Sequence, residues 1–94
     1  MPVVTVLEFE GVTEAQYEQV GERLARLAPP EGILYHACGP IAGGWRIADV
    51  WESPDAWARF LDARYLPAMR ASGGPEPSRR EAMPTHHAGV VARP

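Results

Sequence analysis

The chain has 94 residues and a formal net charge of −3, with 46% hydrophobic and 22% charged residues. These totals indicate one small domain over residues 1–94, which would gain stability from an oligomeric partner because so short a chain buries little surface. They argue against a nucleic-acid-binding surface, which needs clustered positive charge, and against a membrane protein, since no apolar run approaches the roughly 20 residues that span a bilayer.

The first part of the chain predicts a strand followed by a helix. Residues 3–9 are apolar and rich in β-branched side chains, which favours a well-covered strand. Thr13 and Gln16 form a capping-box pattern, so we expect a helix from there to about Ala28. The two consecutive prolines that follow would end this helix, since proline has no amide hydrogen to donate.

The middle of the chain predicts a β-hairpin. Residues 32–39 form its first strand, residues 40–44 contain the Gly-Gly turn, and residues 45–52 form its second strand. Side chains alternate between the two faces of a strand, so Asp49 shares a face with large apolar neighbours. A carboxylate on an apolar face is the sharpest functional feature of the sequence.

The hairpin also brings other polar side chains to this acid. A turn of two or four residues places His36 and Cys38 on the same face as Asp49 and Trp51, with His36 opposite or diagonal to the acid, whereas a turn of three residues does not. The pattern predicts one polar cluster of these four residues.

The last part of the chain predicts a second helix and a final strand. Ser53 and Pro54 have the features of an N-cap and a first helical residue. Pro67 removes the hydrogen bond to the carbonyl four residues earlier, so the helix should kink or end there. Residues 72–77 form a loop by composition, and residues 83–91 are expected to form the last strand.

The element order strand, helix, strand, strand, helix, strand predicts an α+β fold. This order is typical of the ferredoxin-like βαββαβ arrangement, a four-stranded antiparallel sheet with two helices on one face. The other face would carry Val4, Val6, Ala48 and Val50 as an apolar patch. Pairing two sheets through that patch would bury it, so we expect a homodimer.

The third strand ends in V-W-E-S and leads into D-A-W-A-R-F on the second helix. In this motif the chain resembles the dimeric α/β-barrel superfamily, especially its antibiotic-biosynthesis-monooxygenase-like branch. The resemblance implies two sheets paired into a barrel, with a ligand pocket in each subunit between sheet and helices. Several members are cofactor-free oxygenases of aromatic polyketides, and others degrade haem. Trp51 matches a common aromatic residue, whereas Phe60 replaces a frequent histidine, which argues against haem ligation.

These observations define a set of candidate site residues. An apolar site raises the pKa of a carboxyl group, so Asp49 could be a general base itself or could orient His36 as the base. Alternatively, Asp49 is a structural acid that accepts hydrogen bonds from donors in the core. His86 and His87 are consecutive, so on a strand only one can face the pocket, and we choose His86. Flat apolar surfaces for a planar ligand, or plain core, are provided by Trp51, Trp57, Phe60 and Tyr65, with Cys38 beside them.

The leading interpretation is a homodimeric pocket protein that binds a small aromatic molecule and oxidises it with molecular oxygen and no cofactor. The alternatives are a non-catalytic ligand-binding or interaction module and a polyketide cyclase or isomerase with the same pocket. The single cysteine and the absence of a basic leader favour the bacterial cytoplasm, and the usual metal-ligand spacings do not occur.

Overall fold

The computed structural model describes residues 1–89 and contains one antiparallel sheet of four strands in the order β2-β3-β1-β4. Helices cover one face of this sheet, which confirms the ferredoxin-like prediction. A π-helical turn, Leu61–Tyr65, separates the second and third helices. The elements are β1 (Val3–Glu10), α1 (Glu14–Leu24), β2 (Ile33–Ile41), β3 (Gly44–Trp51), α2 (Pro54–Phe60), α3 (Leu66–Ala71) and β4 (Arg79–Pro84).

Both predicted helix starts are confirmed. The Thr13 hydroxyl accepts a hydrogen bond from the Gln16 amide at 3.2 Å, and the Ser53 hydroxyl accepts one from the Ala56 amide at 3.1 Å. Each bond satisfies an amide that has no partner inside its helix. The predicted end of α1 at Ala28 is wrong, because the helix ends at Leu24. The tight turn that follows leaves residues 25–30 as irregular chain beside the helices.

The hairpin has the shorter of the two turns that preserve the predicted face. Ile41 pairs with Gly44, which leaves a turn of two residues, so β2 runs two residues further than predicted. His36 then lies directly opposite Asp49. Gly44 is required here, because a β-carbon at this position would collide with the carbonyl oxygen of Phe9 on β1.

The second helical segment is irregular in the turn before Pro67. The Leu66 amide donates to the carbonyl of Leu61, five residues earlier, instead of the usual four. Pro67 has no amide to donate, and its ring crowds the carbonyl of Ala63, so a widened turn accommodates it. The predicted irregularity is therefore present, as a π-helical turn followed by a further short helix.

The predicted last strand over residues 83–91 is largely wrong. β4 begins at Arg79 and ends at Pro84, and the described residues that follow it are not in a strand; the remainder of the predicted strand, from residue 90, lies outside the described residues. The first three residues of this edge strand are charged, and two of them pair with neighbours: Arg80 bonds Asp62 at 2.8 Å, and Arg79 bonds Glu8 at 3.3 Å. An apolar pattern therefore does not mark where the strand begins.

The two faces of the sheet differ in burial. On the helix side, alternate residues of β1 and β3 are buried, including Phe9 and Trp51, which are completely inaccessible. On the other side, Val4, Val6 and Val50 are only half-buried, and Tyr35 is exposed. None of the helices in residues 1–89 is both long and apolar enough to cross a bilayer.

Substituting Gly44 tests the close approach of β1 and β3. We expect Gly44→Ala to lower the free energy of unfolding by about 1–3 kcal/mol, because the added methyl group pushes against backbone that cannot rotate away. The matched control is Gly39→Ala, where a β-carbon meets nothing within 4 Å, and its effect should stay within about 0.5 kcal/mol. Urea unfolding monitored by circular dichroism measures both, and equal effects would contradict the register.

Candidate functional site

A partly open cavity of about 410 Å³ lies between the covered face of the sheet and the helices. Its floor is the sheet, its walls are α1 and the segment around the π-helical turn, and residues 25–30 border it. The volume falls in the range of small-molecule sites, roughly 300–1,000 Å³. Most of the lining is apolar, and the polar lining residues are Thr5, Tyr17, His36, Asp49, Arg64 and Tyr65.

A chain of hydrogen bonds runs through the polar part of this lining. The Tyr17 hydroxyl lies 2.9 Å from Nε2 of His36, and Nδ1 of His36 lies 2.7 Å from Oδ1 of Asp49. The indole nitrogen of Trp51 donates to the other carboxylate oxygen of Asp49 at 3.3 Å. Four side chains from three elements are therefore connected, in the order Tyr17, His36, Asp49, Trp51.

Asp49 orients the histidine. Only 8% of this residue is exposed, and burial raises the pKa of its carboxyl, while hydrogen bonds from His36 and Trp51 oppose that rise. When Asp49 is ionised its carboxylate only accepts hydrogen bonds, so Nδ1 of His36 then carries the proton on that side. Nε2 then has a free lone pair and accepts from the Tyr17 hydroxyl. The arrangement prepares His36 to take a proton.

Tyr17 lies at the other end of this chain, in the first part of α1. Its ring stacks on Trp45 with ring centroids 5.0 Å apart, which holds the hydroxyl against His36. Burial raises the pKa of the phenol well above its ordinary value of 10.0. Tyr17 therefore stays a neutral hydroxyl that both donates and accepts hydrogen bonds.

Aromatic rings form the wall opposite α1. The ring of Trp51 lies 5.4 Å from that of Phe60, centroid to centroid, and Phe60 lies 6.1 Å from Tyr65. Arg64 places its guanidinium 5.6 Å from the centroid of the Phe60 ring and donates to the carbonyl of Ala28. This contact joins the π-helical turn to the irregular segment after α1.

The structure brings most of the candidate residues to the cavity. His36, Asp49, Trp51, Trp57, Phe60 and Tyr65 all line it. Cys38 shares a face with His36 but is exposed and does not line the cavity.

His86 is the exception among the predicted catalytic residues. It lies after β4 and not on a strand, so the argument from alternating faces does not apply to it. It is exposed and does not line the cavity. The choice of His86 depended on the wrong bounds of the last strand.

Sequence reasoning missed three polar lining residues. In the sequence, Tyr17 has the spacing of a core-facing residue of the first helix, and its hydroxyl is the one signal that it could be a partner for His36. Thr5 faces the cavity from β1, directly opposite Asp49. Arg64 carried no pattern that marks it. Among residues 1–89, no three His, Cys, Asp or Glu side chains are grouped to hold a metal ion.

Comparison with known proteins identifies the fold. No protein-family model and no curated protein matches the chain. Among solved structures, the cofactor-independent oxygenase SnoaB from Streptomyces nogalater matches with a TM-score of 0.64 and 21% identity, over 93% of this chain and 95% of that one. A Chloroflexus aurantiacus protein, provisionally named an antibiotic biosynthesis monooxygenase, matches with a TM-score of 0.63 and 11% identity, over 97% and 100%.

A third neighbour is a dimeric ferredoxin-like protein of unknown function from Thermobifida fusca. It has a TM-score of 0.54 and 24% identity, over 88% of each chain. At these identities the likeness establishes the fold alone, and it is the fold that the resemblance in the V-W-E-S motif implied.

The buried carboxyl predicts a specific pH dependence. Because burial raises the pKa of Asp49 above its ordinary value of 3.8, the folded protein holds this proton more tightly than the unfolded chain. Its contribution to stability is complete below pH 3.8 and is lost as pH rises through the raised pKa. The melting temperature of the wild type minus that of Asp49→Asn should therefore fall with pH across this interval. Thermal unfolding from about pH 3 to about pH 7 measures it, and a rising difference would contradict the assignment.

Proposed function

We propose that this chain, which has the ferredoxin-like fold of the antibiotic-biosynthesis-monooxygenase-like proteins, binds a planar aromatic molecule in its cavity and removes a proton from it. The observation that carries the proposal is the hydrogen-bonded chain of Tyr17, His36 and Asp49, which lines a mostly apolar cavity. Perturbed titratable groups that converge on such a pocket are typical of functional sites.

The shape and chemistry of the walls support a flat, apolar ligand. The rings of Trp51, Phe60 and Tyr65 form a continuous aromatic surface on one side of the cavity. Leu24 and Gly21 of α1 line the other side, where the missing glycine side chain leaves room. A planar ring system between them buries its two faces against apolar atoms.

Proton removal follows from the order of the hydrogen bonds. The Tyr17 oxygen accepts the proton of the ligand while its own proton passes to Nε2 of His36. Tyr17 remains neutral throughout, as the raised pKa of its phenol requires. The imidazolium that forms is held by the Asp49 carboxylate at Nδ1. The ligand is left as an anion in a cavity with few water-exposed polar groups.

An electron-rich aromatic anion can react directly with molecular oxygen. For an anthrone, the methylene carbon loses both hydrogens and gains one oxygen atom as a carbonyl. The second oxygen atom leaves as water, so the electrons lost by carbon reduce one molecule of oxygen completely. No cofactor takes part in this reaction. That SnoaB, a cofactor-independent oxygenase, has the same fold supports this form of the proposal.

The proposal includes a homodimer formed through the open face of the sheet. The half-buried side chains of Val4, Val6 and Val50 lie together there, beside the exposed ring of Tyr35. Pairing two such faces would remove this apolar surface from water. A cytoplasmic location is also part of the proposal, and the free thiol of Cys38 is consistent with it.

Aerobic turnover of anthrone tests the proton-transfer roles. We expect His36→Ala to lower the rate of anthraquinone formation by about a hundredfold or more, because the proton acceptor is lost. Asp49→Asn and Tyr17→Phe should each lower it by at least about tenfold, since the first removes the carboxylate that holds the imidazolium and the second interrupts the transfer. Absorbance of the quinone and oxygen consumption report the rate.

The matched control is His87→Ala, which removes an exposed histidine away from the cavity and should leave turnover unchanged. If the protein binds anthrone but oxidises it no faster than buffer alone, the oxygenase proposal is refuted and the protein is a ligand-binding module. Proton exchange at the anthrone methylene that persists without oxygen would favour the isomerase alternative. Unchanged oxidation rates in all three site variants would refute the assigned roles.

A charge on the open sheet face tests the dimer. We expect Val50→Lys to convert the protein to a monomer, because an ammonium group cannot be buried unpaired between two apolar sheets. Ala15→Lys, on an exposed position of α1, introduces the same charge elsewhere and should leave the mass unchanged. Light scattering after size-exclusion chromatography gives both masses, and a wild-type monomer at micromolar concentration would contradict the proposal.

A further inference from the structure

Arg64 is a positively charged residue of the cavity lining that the proton-transfer chain does not use. It belongs to the π-helical turn, and its side chain is only half-buried. Other arginines of the chain form ion pairs with carboxylates, namely Arg46, Arg70, Arg79 and Arg80. No carboxylate in residues 1–89 forms an ion pair with Arg64. Its charge is therefore available to a group from outside the described chain.

Two contacts place the guanidinium of Arg64, and not only its aliphatic stem, at the border of the cavity. One N–H group donates to the carbonyl of Ala28, and the central carbon of the guanidinium lies 5.6 Å from the centroid of the Phe60 ring. Ala28 and Phe60 both line the cavity. The charged group therefore lies between two lining residues, where the segment 25–30 meets the π-helical turn.

The remaining N–H groups of Arg64 indicate what the residue binds. A guanidinium has five N–H donors, and the bond to Ala28 is the only hydrogen bond that Arg64 forms within residues 1–89. Two parallel N–H groups match the two oxygens of a carboxylate. The ring of Phe60 restrains the guanidinium from one side, which leaves the planar donor edge oriented for such a group.

The rest of the cavity is less suited to an anion. The Asp49 carboxyl lies on the sheet floor, and most of the other lining is apolar. A ligand carboxylate placed there would be repelled by Asp49 when this acid is ionised, and it would lose its water without gaining an ion pair. A ligand with one carboxylate is therefore oriented with its charge towards Arg64 and its rings in the apolar space.

We propose that Arg64 binds a carboxylate at the edge of the planar aromatic ligand, so that the cavity selects aromatic acids over neutral ring systems. This inference rests on the proposed function for the identity of the cavity as an aromatic site. It adds a charged contact that is separate from the hydrogen-bonded chain of Tyr17, His36 and Asp49. Arg64 is a specificity-determining residue in this proposal, and the proton acceptor remains His36.

Arg59 provides the matched control. It lies in the last turn of α2, is exposed, does not line the cavity, and forms no ion pair within residues 1–89. Arg64→Met and Arg59→Met each remove one positive charge and keep an unbranched apolar side chain, so their difference reports the position of the charge. Arg64→Lys keeps the charge but loses the paired N–H groups.

The experiment compares the binding of naphthoate with that of naphthamide, which has the same two-ring frame without the charge. Isothermal titration calorimetry near neutral pH measures both. We expect the wild type and Arg59→Met to bind naphthoate about three- to tenfold more tightly than naphthamide, a modest ratio because Arg64 is partly exposed to water. Arg64→Met should lose this preference and bind naphthamide as the wild type does. Arg64→Lys should keep only part of the preference.

The salt dependence of the wild type gives a readout that needs no variant. Its preference for naphthoate should decrease as salt is added, because ions screen a partly exposed pair. A wild type that binds the two probes equally at low salt would overturn the inference. Equal preference for naphthoate in Arg64→Met and wild type would also overturn it. So would an equal weakening of both probes in Arg64→Met, which would show that the bond to Ala28 maintains the cavity without selecting the ligand.

These outcomes separate the inference from the proposed function. If naphthoate is preferred through Arg64 but the wild type does not oxidise anthrone, Arg64 has the proposed role and the oxygenase activity is refuted. If anthrone oxidation depends on His36 while naphthoate and naphthamide bind equally, only the role of Arg64 is refuted. Failure of the wild type to bind anthrone or either probe would refute the cavity as an aromatic site, and both proposals with it.

Discussion

The burial of the Asp49 carboxyl is the constraint around which the site is arranged. A carboxylate on a covered sheet face is costly unless each oxygen has a partner, and here Nδ1 of His36 and the indole of Trp51 each take one oxygen. Satisfying the acid fixes the histidine ring, and the fixed ring presents Nε2 to Tyr17. The polarity of the cavity therefore follows from a single buried acid and the partners that make its burial possible.

Two features of the backbone place these groups correctly. The two-residue turn sets His36 directly opposite Asp49, and a slip of one residue would send one of them to the open face of the sheet. The π-helical turn before Pro67 supplies Tyr65 to the opposite wall without withdrawing Leu66 from the core. The first feature depends on strand pairing and the second on a proline, and together they leave an apolar space with a polar chain on one side and aromatic rings on the other.

The errors of the sequence analysis have physical causes. β4 is an edge strand whose first half is charged and whose side chains are all exposed, so its sequence has no apolar alternation that would predict its bounds. Misplacing that strand gave His86 a role that its exposed position does not support. Tyr17 was missed because a tyrosine on a helical stripe has the pattern of a core residue, and only the packing of α1 on the sheet reveals where its hydroxyl lies.

Local interactions allowed the sequence by itself to determine the helix starts, the hairpin, the element order and the face that His36 shares with Asp49, whereas the structure decided that the two lie directly opposite. Caps act within three or four residues, and alternation along a strand requires no knowledge of the rest of the chain. The cavity and its volume were decided only by the tertiary structure. They depend on how far the helices lie from the sheet, which is set by side chains packed together from distant parts of the chain.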